Sequence, residues 1–384
     1  MFGSNFAGYM QINSWKTILA ASALGNAGLL MIYFAPILVG AVDEQLQLTD
    51  FQKGLFGASD LIGYAIASLS AYFWIRKVNW RTAALIALVI LVVGNMLSMY
   101  MPEIYSLVGM RIFTGIGQGI AVALTLAIFG DTDQTDRNLA IYLVLSLLVG
   151  IGILPFLPDW VATNGPNPIY WTQMIFAIIA IPFVIWAIPK KGLVQEIKGT
   201  TVKLSFPVQL ALLGIIILYI GYGGLWVLVE RFGDLSGLSA AVIGDSLTIS
   251  LIVGLVALLL TIFIADRFGR MIPIILSLAF LIIFSLVLFW DQSATGFLIA
   301  VCAGNFGINL VIPYMSAVID QLDESGKGVA MVPAMYSIGL FLGPIVLSFF
   351  MSEQDNSMAG YIAAAFFIAC LGIYIWLVRK KATD

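Results

Sequence analysis

The sequence predicts an all-α integral membrane protein of about twelve transmembrane helices, arranged as two pseudo-symmetric six-helix bundles. Three observations predict it. The 384 residues are 61% hydrophobic and 10% charged, with a mean hydropathy of +1.02, against roughly 45–50% apolar and about 25% charged for a soluble domain. The apolar residues fall into stretches of about 20, the length that crosses a bilayer as a helix. Lysine and arginine collect in the links of one side.

The spans lie near 16–40, 51–75, 82–101, 104–128, 138–158, 169–189, 206–229, 238–264, 271–290, 294–318, 328–350 and 359–379. Turn and charge signals separate them, among them Asp43-Glu44, Pro102-Glu103, Gly165-Pro166, Gly233-Asp234 and Asp291. One side carries Lys16, Arg76, Lys77, Arg81, Arg137, Lys190, Lys191, Lys198, Lys203, Arg267, Arg270, Lys327, Arg379, Lys380 and Lys381. The other side and the interior keep Lys53, Arg111 and Arg231. Positive residues stay in the cytoplasm, so an even number of helices puts both termini there.

The longest polar link runs from Lys190 to Lys203. It divides the chain into a bundle 1–189, a linker 190–205 and a bundle 206–384. An internal repeat supports the division. A shift of 190 residues brings Leu48 onto Leu238, Gly54 onto Gly244 and Gly117 onto Gly307, and a shift of 189 brings Gly150 and Pro155 onto Gly339 and Pro344.

Several functions are disfavoured. A formal net charge of −3, with no basic patch, aromatic-interleaved groove or zinc-knuckle spacing, speaks against nucleic acid. Histidine is absent, which removes the usual metal ligand and proton relay, so no metal or cofactor is expected and any proton coupling runs through carboxylates. Cys302 and Cys370 lie in apolar runs and read as small packing residues. There is no Gly-x-Ser-x-Gly, no paired ligand set and no P-loop, which counts against a membrane-embedded enzyme and an ATP-driven permease. The first apolar stretch is too long for a cleaved signal peptide. The lack of an Asn-x-Ser/Thr sequon favours a bacterial inner membrane.

Two motifs then narrow the class. Ala265-Asp266-Arg267-Phe268-Gly269-Arg270, between the eighth and ninth spans, resembles the "G-x-x-x-D-R-x-G-R" loop of the major facilitator superfamily, with Ile262 in place of the leading glycine. Arg111-x-x-x-Gly115-x-Gly117-x-Gly119 resembles that superfamily's "R-x-x-x-G-x-G-x-G". The fifth span lacks the antiporter signature, and Gly339-x-x-x-Gly343-Pro344 of the eleventh is nearer to it. In the first-half loop Arg76 stands where Asp266 stands and Asn79 where Gly269 stands. That loop is basic and the next one on its side is acidic (Asp131, Asp133, Asp136), which reads either as a latch of inverted polarity or as plain membrane anchoring.

The resemblance implies a monomeric multi-pass transporter that moves a small-molecule substrate through the lipid bilayer by alternating access. It implies a gating motif of Asp266, Arg267, Gly269 and Arg270 with Arg76, and a cavity lined by the first, fourth, seventh and tenth helices. Those helices carry Asn26 and Tyr33, Arg111 and Gln118, a stripe of Tyr219, Tyr222, Trp226 and Glu230, and Asn305 with Asn309; Tyr64 joins them from the second. Asp60 lies about 15 Å into the second span, near the depth of Arg111. Asp60, Arg111 and Glu230 are the candidate proton-coupling groups, with sodium as the other ion. The Asp60–Arg111 pair also reads as a structural tie. Arg111 makes an organic anion the first substrate expected, and the aromatic stripe ending in Glu230 would suit an amphipathic or cationic solute leaving the cell. Reporter fusions at Asp384 and within 190–203 should both read cytoplasmic; a periplasmic signal from either refutes the even count of helices.

Overall fold

In a bilayer core no water is available to the backbone, so each spanning segment must pair its own N–H and C=O groups as a helix. The computed structural model describes residues 12–192, 204–264, 269–323, 327–351 and 356–383. Among these, twelve helices are long and apolar enough to cross a membrane, and no strand occurs. They are α1 (Trp15–Leu46), α2 (Asp50–Trp74), α3 (Trp80–Ser98), α4 (Ile104–Gly130), α5 (Thr135–Ile153), α6 (Asn167–Ala187), α7 (Phe206–Val227), α8 (Ala240–Ile264), α9 (Met271–Trp290), α10 (Ala294–Leu322), α11 (Lys327–Ser348) and α12 (Ser357–Thr383). α5 continues through a 3-10 turn at Leu154–Phe156 into a helical extension, Leu157–Asn164. A short helix, Val229–Leu235, follows α7.

Two of the helices start where a side chain supplies a missing acceptor. Asn79 accepts from the Thr82 amide at the head of α3, and Ser293 accepts from the Gly296 amide at the head of α10. Asn79 therefore caps a helix in the position where the other half carries Gly269. Gly269 instead has φ +65 and serves as the turn itself.

The chain forms two compact units, one of Met1–Leu38, Ser59–Gly150 and Thr163–Val202, the other of Val39–Ala58, Ile151–Ala162 and Lys203–Asp384. These differ from the bundles 1–189 and 206–384 in that the ends of α1, α2 and α5 remote from the basic loops belong to the second unit.

Glycines set the close crossings inside each unit, as expected where helix association in lipid depends on backbone approach. In the first unit, a Cβ on Gly115 would collide with the Asp60 carbonyl, and one on Gly119 would stand 2.5 Å from the Tyr64 carbonyl. Gly117 faces the other way, where a Cβ would stand 3.0 Å from the Ala87 carbonyl. The alternate glycines of the α4 motif thus seat α2 and α3 on opposite flanks of one helix.

The second unit repeats the device. Gly307 of α10 lies against α9, a Cβ there standing 2.7 Å from the Ser277 carbonyl. A Cβ on Gly54 of α2 would stand 2.5 Å from the Pro344 carbonyl of α11, and one on Gly244 of α8 would stand 2.5 Å from the Pro158 ring in the α5 extension. The residues matched by the 190-residue shift therefore make matched contacts: α4 on α3 as α10 on α9, and α2 on α11 as α8 on α5.

Gly339 and Gly343 of α11 form the crossing with α7. A Cβ on Gly343 would stand 2.5 Å from the Gly224 nitrogen and 2.6 Å from the Ile220 carbonyl. Backbone atoms of two packed helices cannot yield as a flexible side chain would. Gly343→Ala should lower the thermal unfolding midpoint, at a cost of about 1–3 kcal/mol, while Gly109→Ala, where nothing lies within 4 Å, should not. Equal midpoints for the two variants would refute the crossing.

Candidate functional site

Arg111 is wholly buried in the first unit, and a guanidinium there needs a counter-charge. Asp60 supplies it as a fork, accepting from Arg111 Nε at Oδ2 (2.9 Å) and from Nη2 at Oδ1 (2.7 Å). Asp60 keeps 8% of its surface open. Gln118 Nε2 donates to the same Oδ1 at 2.8 Å. The remaining Arg111 nitrogen, Nη1, donates to Asn95 Oδ1 at 2.8 Å. Asn95 Nδ2 donates to Gln173 Oε1 at 2.9 Å, and Gln173 Nε2 donates to the Ala27 carbonyl at 3.2 Å. The Tyr170 ring lies 5.2 Å from the guanidinium carbon. One continuous polar network so links α2, α4, α3, α6 and α1. Asn95, Gln173 and Tyr170 are absent from the residues singled out by sequence. Their signal is faint: each is a neutral polar group in an apolar helix.

The other candidates of this unit have local partners. Asn26 accepts from Ser146 Oγ at 2.7 Å and donates to the Ser22 carbonyl, and Tyr33 lies half-buried on the same helix. This ties α1 to α5. Tyr64 is buried, its carbonyl beneath Gly119. Gln118, expected at a substrate surface, is fully buried on Asp60.

At the end of this unit bearing the basic loops, Arg76 donates to both carboxylate oxygens of Asp131, at 2.8 and 2.9 Å. Its guanidinium lies 5.5 Å from the Trp80 ring centre. The basic loop and the acidic loop are joined by that pair. In the second unit, Arg270 donates to the Ala317 carbonyl near the end of α10, where a cation suits the helix dipole. Asp266 and Arg267 lie outside the described residues.

The aromatic candidates cluster on α7. Tyr222 and Trp226 stack, ring centres 6.1 Å apart and planes 10° apart, and Tyr219 meets Tyr222 at 6.2 Å and Tyr336 of α11 at 5.4 Å. Asn305 donates to Ser250 Oγ at 2.9 Å and Asn309 to the Asn305 carbonyl at 2.9 Å. Glu230 does not continue the stripe. α7 stops at Val227, and Leu228 leaves helical geometry with φ −100 and ψ 5.

Glu230 instead packs its carboxylate onto Gly40. The cations nearby are engaged elsewhere, Lys53 with Asp43 (2.6 Å) and Arg231 with Asp50 (2.6 Å). Burial, then the charges of Asp234, Glu44 and Asp43, push the Glu230 carboxyl well above its ordinary 4.5. The unfolded chain ionises at the ordinary value and the folded chain only at a higher one. The fold therefore loses stability as pH rises above about 4.5 and until Glu230 itself ionises. Glu230→Gln should raise the unfolding midpoint at pH 8 by more than at pH 4. An equal gain at both would show that the carboxyl is not held in its acid form.

The family model described as Major Facilitator Superfamily matches residues 17–209 and again 211–384. An MFS-type transporter of Escherichia fergusonii, YcaD, is 23% identical over 84% of this chain and 86% of its own. The nucleoside transporter NupG (D323A mutant) superposes with a TM-score of 0.73 at 11% identity, over 94% of this chain and 99% of its own. The D-xylose-proton symporter does so with a TM-score of 0.70 at 18% identity, over 94% and 97%.

Proposed function

The chain belongs to the major facilitator superfamily, and from that premise we propose that it is a proton-coupled secondary transporter of a small uncharged organic solute, with Asp60 as the coupling acid. It is a transporter and not an enzyme, and a multi-pass protein of the bacterial inner membrane. The termini and the linker 190–205 face the cytoplasm, with 1–189 and 206–384 as the two bundles that alternate.

The observation that carries the coupling is the Asp60 fork. A partly open carboxylate is held to a guanidinium with no open surface. Making and breaking that pair changes how tightly Asp60 holds a proton, which is what a coupling site requires. Arg111 and Glu230 serve the same reading in different ways. Arg111 sets the charge on Asp60, and Glu230 is a second acid remote from it along the chain.

The same fork argues against an organic anion. Arg111 donates Nε, Nη1 and Nη2 to Asp60 and Asn95, so an anion would have to displace a carboxylate already in place. The Tyr219, Tyr222, Trp226 and Tyr336 rings favour a solute with an apolar ring face. Two chains of like fold are named for ring-bearing solutes, a nucleoside and D-xylose, the second with a proton. Export of cationic compounds has less support, because Glu230 leaves the aromatic stripe.

A solute found by thermal-shift screening of the purified protein allows the decisive assay in vesicles. Asp60→Asn should abolish accumulation driven by a pH gradient and leave solute exchange without a gradient intact. Loss of both, with a destabilisation of about 3–5 kcal/mol, would make Asp60 a structural partner of Arg111. Undiminished gradient-driven accumulation would reject Asp60 as the proton carrier.

A further inference from the structure

Among the described residues, every hydrogen-bond partner of the Asp60 carboxylate is a donor. Oδ1 receives Arg111 Nη2 and Gln118 Nε2, and Oδ2 receives Arg111 Nε. That set fits a carboxylate and opposes a carboxylic acid, whose new O–H would point at another donor. Arginine offers no remedy, since it has five N–H groups, no acceptor and no accessible deprotonation. Gln118 does. Its side chain carries an acceptor on the same planar group as its donor, and a half-turn of the amide exchanges them.

A second observation concerns that acceptor. Gln118 is 0% exposed, and its Oε1 has no hydrogen-bond partner among the described residues. A buried polar atom left unpaired is costly and rare, so its presence beside a titratable group needs an account. Among the described residues, the other charged or titratable groups facing Asp60 are Arg111 of α4 and Tyr170 of α6. Neither can accept the acid hydrogen in the observed arrangement: Arg111 lacks an acceptor, and no hydrogen bond links Tyr170 to Asp60.

We propose that Gln118 reads the protonation state of Asp60 by reversing its side-chain amide. With Asp60 ionised, Nε2 donates to Oδ1. When a proton from water binds Oδ1, the amide turns and the new O–H donates to Oε1, which takes the place Nε2 held at 2.8 Å. The Nε2–Oδ1 hydrogen bond is thereby replaced by the O–H–Oε1 one, Nε2 moves to the place Oε1 left, and the Arg111 contacts stay. The proton on Asp60 is then stabilised by the residue that had stabilised its absence. Gln118 is a positioning residue for coupling, and it stands at a tight helix crossing: a Cβ on Gly28 of α1 would lie 2.8 Å from the Gln118 carbonyl. This inference rests on Asp60 being the coupling acid.

The test needs no solute. Infrared difference spectra between low and high pH are recorded on the full-length protein in lipid, with glutamine labelled with ¹³C at the side-chain carbonyl. The expected result is an Asp60 carboxylic-acid band on acidification, lost in Asp60→Asn. With it comes a label-sensitive glutamine band moving to lower wavenumber as Oε1 begins to accept, lost in both Asp60→Asn and Gln118→Met. In Gln118→Met the proton affinity of Asp60 should rise by roughly tenfold, because the ionised form loses a charge-assisted bond and the acid only a neutral one. The absence of any label-sensitive glutamine band on acidifying the wild type overturns the reversal while leaving Asp60 as the coupling acid, and this reading needs no variant to fold. A spectrum unchanged by Asp60→Asn overturns the coupling reading, and the reversal with it.

Discussion

A guanidinium with no open surface must be neutralised where it stands, and Asp60 neutralises Arg111. The requirement reaches outward from that fork. Satisfying the last guanidinium nitrogen brings Asn95 in from α3, and Asn95 brings Gln173 from α6, whose amide ends on the α1 backbone. In lipid the apolar surfaces of helices gain little by leaving the solvent, so a polar chain of this kind specifies which helix faces meet. The fork is possible only because α2 and α4 approach at backbone distance, with Gly115 under the Asp60 carbonyl itself. The motif Arg111-x-x-x-Gly115-x-Gly117-x-Gly119 is thus one device: its glycines provide the separation that its arginine needs.

The same reasoning accounts for the repeat. Positions related by the 190-residue shift contact related helices, Gly117 on α3 and Gly307 on α9, Gly54 on Pro344 and Gly244 on Pro158. The chemistry at the α4 and α10 positions has nonetheless diverged. α4 carries the ion pair, whereas α10 carries Asn305 and Asn309, whose partners are Ser250 and the Asn305 backbone. Backbone geometry is retained at these related positions while the buried ion pair is found on α4 alone of the two helices.

Hydropathy is a strong signal because lipid imposes a fixed length, and all twelve spans are readable from it. Asp60 and Arg111 are readable for a related reason: ionisable groups inside apolar runs are costly enough to stand out. What escapes is whatever depends on helix rotation or on a local break. Asn95 and Gln173 carry no charge, and their meeting depends on how α3 and α6 turn toward α4. Gln118 reads as a cavity residue by its helix, yet faces Asp60. The end of α7 is invisible to hydropathy because the run stays apolar through Leu228 and Val229. A spacing of four residues from Trp226 therefore placed Glu230 on a stripe that the break at Leu228 removes.

Asp60 and Glu230 are acids in opposite surroundings. Asp60 faces three donors, two of them on a cation, so its ionised form is the one its neighbours fit. Glu230 faces Asp43, Glu44 and Asp234 while the nearby cations pair with Asp43 and Asp50, so its acid form is the one its neighbours fit. A group that couples proton movement to a conformational cycle has to lose its preferred form in one half of that cycle. For Asp60 this means loosening the Arg111 fork, a change inside one network of α2 and α4. For Glu230 it means separating its carboxyl from Gly40 and from the acids around it. On the proposed coupling, the first change needs a reader of the proton, and Gln118, the partner of Asp60 able to accept as well as donate, is the residue proposed for it. The second needs none, since charge repulsion among neighbouring carboxylates acts without a hydrogen-bond intermediary.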